Sequence, residues 1–369
     1  MEKPSEQDSQ QKPRIYRQGR SKNIGMKRIC ICGAFRLGKK PKGGQEIKTV
    51  ILADALEAEF GKIYKIDTLA ANSTFKIPFQ LLWAMAFCPD IIILPAQNGI
   101  VVLSRLLVLL NKLFHRKLHY SVIGGWLQDI LENKPATLAA LKKFTGIYVE
   151  TQTMKTAMSS LGLENVYVVP NCKPLSIISQ ETIFKEYKEP YKLVTFSRVT
   201  EKKGIGTAVE TVNALNEKYG REVFQLDIYG PVDQEDEIWF ENLKNTFTPS
   251  IFYKGNIPFD RSVETLRPYF ALLFPTQYFT EGIPGTIIDS YTAGVPVIAS
   301  RWKSASDVVE DGISGFVYEF GDKLALESIL ERIVANPDMI VQLKGNCLRK
   351  AEDYLPQKAL KPIFNNISN

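Results

Sequence analysis

Histidine is nearly absent from these 369 residues: there are two, His115 and His119, four apart in one stretch. Five cysteines (Cys30, Cys32, Cys88, Cys172 and Cys347) are scattered along the chain and do not combine with them into a zinc pattern. An odd, dispersed cysteine set carries no disulfide framework, and a reducing cytoplasm is the expected compartment. No run reaches the ~18–20 uninterrupted apolar residues of a membrane span. The nearest approach, residues 99–119, is broken by Arg105 and Lys112. A G-x-G-x-x-G fingerprint, a Walker-type loop, a G-x-S-x-G elbow and a D-x-D pair are also missing, which disfavours an ordinary dinucleotide site and serine hydrolase chemistry.

What remains is 45% hydrophobic and 23% charged, the composition of a globular chain and not of a fibre or a disordered one. The length predicts two domains. The net charge is +6, but residues 1–28 alone hold eight basic and three acidic side chains, so the body is nearly neutral. That balance argues against a nucleic-acid partner. Residues 1–26 are polar, lack the apolar run of a signal peptide, and read as a disordered basic tail.

From Lys27 onward short β-branched runs alternate with amphipathic stretches, the pattern of βαβ units and parallel sheets. Strands are expected near 28–33, 62–67, 90–95, 119–124, 146–150 and 165–169, then near 191–197, 224–230, 251–254, 269–275, 295–299 and 316–318. The prolines of 171–190 interrupt the rhythm and read as a linker. This divides the chain into a Rossmann-like domain over 27–170, a second over 191–336, and terminal helices over 337–369 that pack back toward the first. Ligands of such sheets sit at the carboxyl ends of the strands, so function is sought in loops facing the cleft between the halves.

Three constellations lie in such loops. The strongest is Glu281-Gly282-Ile283-Pro284-Gly285-Thr286 followed by Asp289. Pro284 at the first position of a helix leaves the amides of Gly285 and Thr286 free for an anion, and the helix dipole favours one there. Gly282 and Gly285 allow close approach to the backbone, and Glu281 and Asp289 can accept hydrogen bonds from sugar hydroxyls. In the second, Arg198 and Lys203 project from a strand's carboxyl end, where two fixed cations neutralise a diphosphate. The third is the glycine-rich turn from Gly33 to Gln45, in which Gly43, Gly44 and Gln45 open a helix and present amides to a phosphate.

The Arg198…Lys203-Gly204 loop and the Glu281–Asp289 motif, in this order and at this separation, resemble the nucleotide-sugar half of GT-B glycosyltransferases, specifically glycosyltransferase family 4. The resemblance is specific over 191–320 and looser before it. It implies that Arg198 and Lys203 bind the donor diphosphate, that Glu281 contacts the transferred sugar, and that Asp289 binds the nucleotide ribose. Three departures stand out, one being that Pro284 removes an amide, which Gly285 and Thr286 can still supply. The second carboxylate is an aspartate where the family has glutamate, and the histidine often found in the first half is missing. The corresponding stretches read Pro95-Ala96-Gln97-Asn98 and Val122-Ile123-Gly124-Gly125-Trp126.

The resemblance therefore implies a retaining glycosyltransferase of surface polysaccharide or glycolipid synthesis, with a nucleotide-diphosphate sugar as donor, a glycan or lipid-linked acceptor, and no cofactor or metal. The alternative is a non-catalytic homologue that binds a nucleotide sugar and regulates an active partner. The leucine-rich stretch 99–119 ends in Lys112, His115, Arg116, Lys117 and His119. With the basic tail it points to peripheral contact with an anionic membrane, at the inner face of the plasma membrane.

Overall fold

The computed structural model describes residues 28–38, 43–70, 73–183 and 186–368. The basic tail expected at 1–26 lies outside the described residues. The first half runs β1 (Ile29–Gly33), α1 (Gly44–Phe60), β2 (Tyr64–Asp67), α2 (Ser73–Phe87), β3 (Asp90–Ile93), α3 (Gln97–Phe114) and β4 (Lys117–Ser121). It continues through α4 (Leu127–Asn133), α5 (Pro135–Leu141), β5 (Gly146–Val149), α6 (Gln152–Ser160) and β6 (Val166–Val168).

The second half opens with β7 (Tyr191–Phe196), α7 (Ile205–Tyr219), β8 (Phe224–Tyr229), α8 (Glu237–Lys244), β9 (Ile251–Gly255), α9 (Ser262–Leu266) and β10 (Ala271–Phe274). Then come α10 (Gly285–Thr292), β11 (Val297–Ser300), α11 (Ala305–Val308), β12 (Gly315–Tyr318) and α12 (Lys323–Ala335). Helices α13 (Asp338–Ala351), α14 (Pro356–Ala359) and α15 (Lys361–Ser368) close the chain. Each expected strand is present. The sequence reading places one helix here, at 134–144, and misses α4 before it.

Both sheets have six strands, in the orders β2-β1-β3-β4-β5-β6 and β12-β11-β10-β7-β8-β9, and every pairing is parallel. Strands buried on both faces explain the nearly continuous apolar runs, such as Ile91, Ile92 and Ile93 of β3, all without exposed surface. The strand order reverses between β1 and β3 in the first sheet and between β7 and β10 in the second. At each reversal the following helices leave to opposite faces: α7 packs into one apolar cluster and α10 into the other. Such a point leaves a crevice at the strands' carboxyl ends, and in the second sheet the chain there carries Arg198 and Lys203 after β7 and Glu281 after β10.

The C-terminal helices return across the halves. Cys347 and Ala351 of α13 join the core beneath α10, whereas Ile363 and Ile367 of α15 join Leu52, Leu56 and Phe60 of α1 in the core of the first half. All five cysteines are free and buried. Burial pushes the Cys32, Cys172 and Cys347 thiols up to about 12, so these three are not thiolates at neutral pH.

Candidate functional site

Lys203 lies in a single turn of 3-10 helix, Glu201–Lys203, ahead of α7. Gly204, with φ 70°, ends that turn, and a Cβ built there would stand 1.8 Å from the carbonyl oxygen of Pro275. Only glycine lets the loop after β7 lie so tightly against the end of β10. That approach delivers the Lys203 ammonium to Glu281 Oε1, and the same oxygen accepts from Thr276 Oγ1 at 3.2 Å. The ammonium also stands 5.6 Å from the centre of the Phe274 ring. A lysine and a glutamate from the two sides of the sheet's reversal are thereby held together, both mostly shielded from water.

Arg198 is not brought into this pair. It points to solvent and its Nη1 donates to Asp233 Oδ2 at 2.7 Å, beyond the end of β8. The structure thus places the two expected cations after the same strand with different partners, Lys203 mostly shielded and Arg198 exposed.

Helix α10 differs from the sequence reading at its start. Pro284 is the residue before the helix, in an extended conformation, and its carbonyl accepts from the Ile287 amide at 3.0 Å. Gly285 is the first helical residue, so its amide and that of Thr286 precede any intrahelical partner. The Thr286 hydroxyl oxygen is buried and has no hydrogen-bond partner among the described residues. These groups form an electropositive helix end.

Asp289 points to a partner that sequence spacing does not indicate. Lys173 Nζ, from the segment read as linker, donates to both its carboxylate oxygens at 2.7 and 2.6 Å. Burial pushes the Asp289 carboxyl up, and the Lys173 charge partly offsets this. Lys173 Nζ also lies 3.8 Å from a Cβ built on Gly285, so the pair sits at the start of α10.

The glycines act differently from each other. Gly282 has no room for a side chain because the Glu150 carboxylate fills it, 2.1 Å from a Cβ built there. The close approach expected from a ligand is therefore made at Gly282 by a protein carboxylate. Glu150 Oε2 accepts from the Ile283 amide at 2.7 Å, and Glu150 Oε1 from Lys48 Nζ at 2.6 Å. Lys48 also donates to the Val122 carbonyl at 2.7 Å.

Lys48 stands one turn after Gly44, so this buried chain of contacts ties the glycine-rich start of α1 to the motif loop of the other half. The Gly125 amide donates to the Thr280 carbonyl at 3.1 Å and Asn171 Nδ2 to the Ile283 carbonyl at 3.0 Å, which fixes the same loop from two more directions. Beside it a small apolar cavity is lined by Val122, Gly125, Val149, Met154, Lys303 and Ser304.

At the reversal of the first sheet, Gly43 caps α1 through its carbonyl, Gly44 begins the helix, and Gln45 Nε2 donates to the Leu94 carbonyl at 3.4 Å. The turn before them is organised by Asp67, whose oxygens accept from the amides of Phe35, Leu37 and Leu69 at 3.0, 2.9 and 2.9 Å. Gln97 and Asn98 are exposed at the start of α3, and Trp126 is half-buried against the core of the first half. His119 has no exposed surface and bonds Asp90 and Tyr148, so it stays within the sheet. Among the described residues no three His, Cys, Asp or Glu side chains converge as metal donors.

Residues 178–349 match the family model described as glycosyl transferases group 1. A curated relative, the amylovoran biosynthesis glycosyltransferase AmsK of Erwinia amylovora, is 27% identical over 149 residues, covering 39% of this chain and 36% of its own. The lipopolysaccharide core biosynthesis glycosyltransferase LpsE of Rhizobium meliloti is 24% identical over 182 residues, covering 46% of this chain and 50% of its own. The match thus spans half or less of the length of these relatives. Among solved structures, Anabaena Alr3699/HepE in complex with UDP superposes with a TM-score of 0.72 at 14% identity, covering 93% of this chain and 100% of that one. The sucrose-phosphate synthase of Thermosynechococcus elongatus also gives 0.72, at 14% identity, over 92% and 99%. Two parallel six-stranded sheets with these neighbours make the fold GT-B.

Proposed function

We propose, for a GT-B chain whose residues 178–349 match group 1 glycosyl transferases, that it moves a sugar from a nucleotide-diphosphate sugar to a hydroxyl of a glycan or lipid-linked acceptor, with retention at the anomeric carbon. The observation that carries this reading is the Lys203–Glu281 pair beside the electropositive start of α10, at the crevice where β7 and β10 part. Retaining transfer breaks the bond from the anomeric carbon to a diphosphate oxygen and forms one to the acceptor oxygen. The acceptor's proton leaves with the diphosphate. Negative charge therefore grows on the leaving group, and groups fixed there before the reaction lower its barrier most.

In this reading Lys203 and the amides of Gly285 and Thr286 receive the diphosphate, with Arg198 at the rim. Glu281 holds Lys203 in place and faces the transferred sugar, while Asp289 offers its oxygens to the ribose from its pairing with Lys173. Binding by neighbours supports the donor class, since HepE is described in complex with UDP and with UDP-glucose. The names of AmsK and LpsE support an acceptor from surface polysaccharide or glycolipid synthesis.

The test is release of nucleoside diphosphate from UDP-glucose and other nucleotide sugars, with and without glycan and lipid-linked acceptors. Acceptor-dependent release is expected, lowered about 10²–10³-fold in Lys203→Ala and about 10²-fold in Glu281→Gln, with melting temperatures near that of the parent. Donor binding without release for any acceptor would move the assignment to the non-catalytic, nucleotide-sugar-binding alternative.

A further inference from the structure

Helices α2 and α3 pack side by side on the same face of the first sheet, and their inner residues, Leu81, Met85, Ile100 and Leu107 among them, enter one core. Their outer residues are also apolar. Along α2 Phe75, Phe79, Leu82, Trp83 and Phe87 recur at helical spacing and are exposed, Phe75 and Phe79 at 79% and 77%. Along α3 Val102, Leu109 and Leu113 are exposed likewise. A helix facing water carries polar residues on its outer side, and an apolar face of this extent marks a surface that is covered by something else.

The charges around this face select the cover. Neither α2 nor α3 contains an aspartate or glutamate. Lys76 lies among the aromatics of α2, and Lys112, His115 and Lys143 line one shallow cleft at the end of α3. A second copy of this face would bring like charges together, whereas an anionic surface satisfies both the apolar row and its cations. We propose that the α2–α3 face docks this protein on an anionic lipid bilayer. The inference is independent of the donor chemistry above.

Helix α3 is the one helix among the described residues long and apolar enough to cross a membrane. It lies on the sheet instead. It connects β3 to β4, which pair directly in register from Asp90 with Lys117 to Ile93 with Tyr120, so both its ends are tied to neighbouring strands. The cations also differ from those read in the sequence. Arg116 Nε and Nη2 donate to the carbonyls of Met85 and Ala86 at 2.6 and 2.8 Å, closing the end of α2. His119 is buried. Lys76, Arg105, Lys112 and Lys143 are exposed and are the cations of this face that meet phosphate headgroups.

The test is co-sedimentation of the full chain with phosphatidylglycerol-containing vesicles, together with quenching of Trp83 fluorescence by brominated lipid. Binding at low salt is expected, with quenching that disappears in Trp83→Phe. The paired change Lys112→Gln, Lys143→Gln lowers partitioning about 25-fold, about fivefold per cation. Phe75→Ser with Phe79→Ser lowers it at least about tenfold. Should the phenylalanine variant fail to fold, Trp83 quenching in the parent decides alone. The proposal is overturned if the parent ignores anionic vesicles at low salt, if it binds with Trp83 unquenched, as attachment through another segment would give, or if the face proves to hold a dimer that Phe75→Ser with Phe79→Ser dissolves.

Discussion

The two carboxylates of the Glu281–Asp289 motif each pair with a lysine from elsewhere in the chain, one in the loop before α10 and one inside it. Glu281 is held by a lysine and a threonine at the mouth of a crevice, whereas Asp289 is buried and balanced by Lys173, 116 residues earlier in the chain. A third carboxylate, Asp67, is structural. Burial pushes its pKa up, but the backbone amides of Leu37, Leu69, Phe35 and Arg36 outweigh that, and it ends below the ordinary carboxylate value. Because the folded pKa is depressed, its contribution to stability is present above the unfolded value of about 3.9 and is lost as the pH falls through the folded one. Asp67→Asn is therefore expected to lower the melting temperature at neutral pH, with the gap to the parent closing below about pH 4. A gap independent of pH would contradict the role given to these amides.

Among the elements, the loop from β7 to α7 is tightly constrained, because Gly204 must pass the Pro275 carbonyl to set Lys203 against Glu281. Gly204→Ala puts a side chain into the left-handed region, at a cost of about 1–2 kcal/mol before the collision is counted. Thermal unfolding of this variant is expected to shift down together with the proposed sugar-transfer activity. Unchanged stability and activity would show that the close approach does not position Lys203.

The elements were largely legible, since buried parallel strands leave short β-branched runs between turn residues wherever they occur, and Gly204 and Pro284 announce their turns. What was not legible is pairing across distance. Lys48 and Glu150 lie 102 residues apart, and Lys173 falls in a proline-rich stretch with no periodicity to place it. The outer face of α2 was hidden for a related reason. A helix apolar all round reads simply as core, and only the packed structure shows which side is left uncovered.

On the scale of the whole molecule, the halves meet through the motif loop itself. Residues 280–283 are held by Gly125 and Glu150 of the first half and by Asn171 of the linker, and the linker backbone at Lys173 bonds Tyr354 of the returning C-terminal segment at 3.1 Å. The crevice after β7 and β10 is thus closed on one side by the second sheet and on the other by groups whose positions depend on α1. In the proposed function a donor bound there engages both halves, and its binding then stabilises the folded chain as a unit. The most direct measurement of the central claim is the thermal shift of the parent and of Lys203→Ala over a panel of nucleotide-diphosphate sugars that includes UDP-glucose. At about a hundred times its dissociation constant a donor adds about 2.7 kcal/mol to the stability, so a clear rise in melting temperature is predicted for the parent with at least one member, and its loss in Lys203→Ala. No rise with any member, or an equal rise in both proteins, would contradict the account.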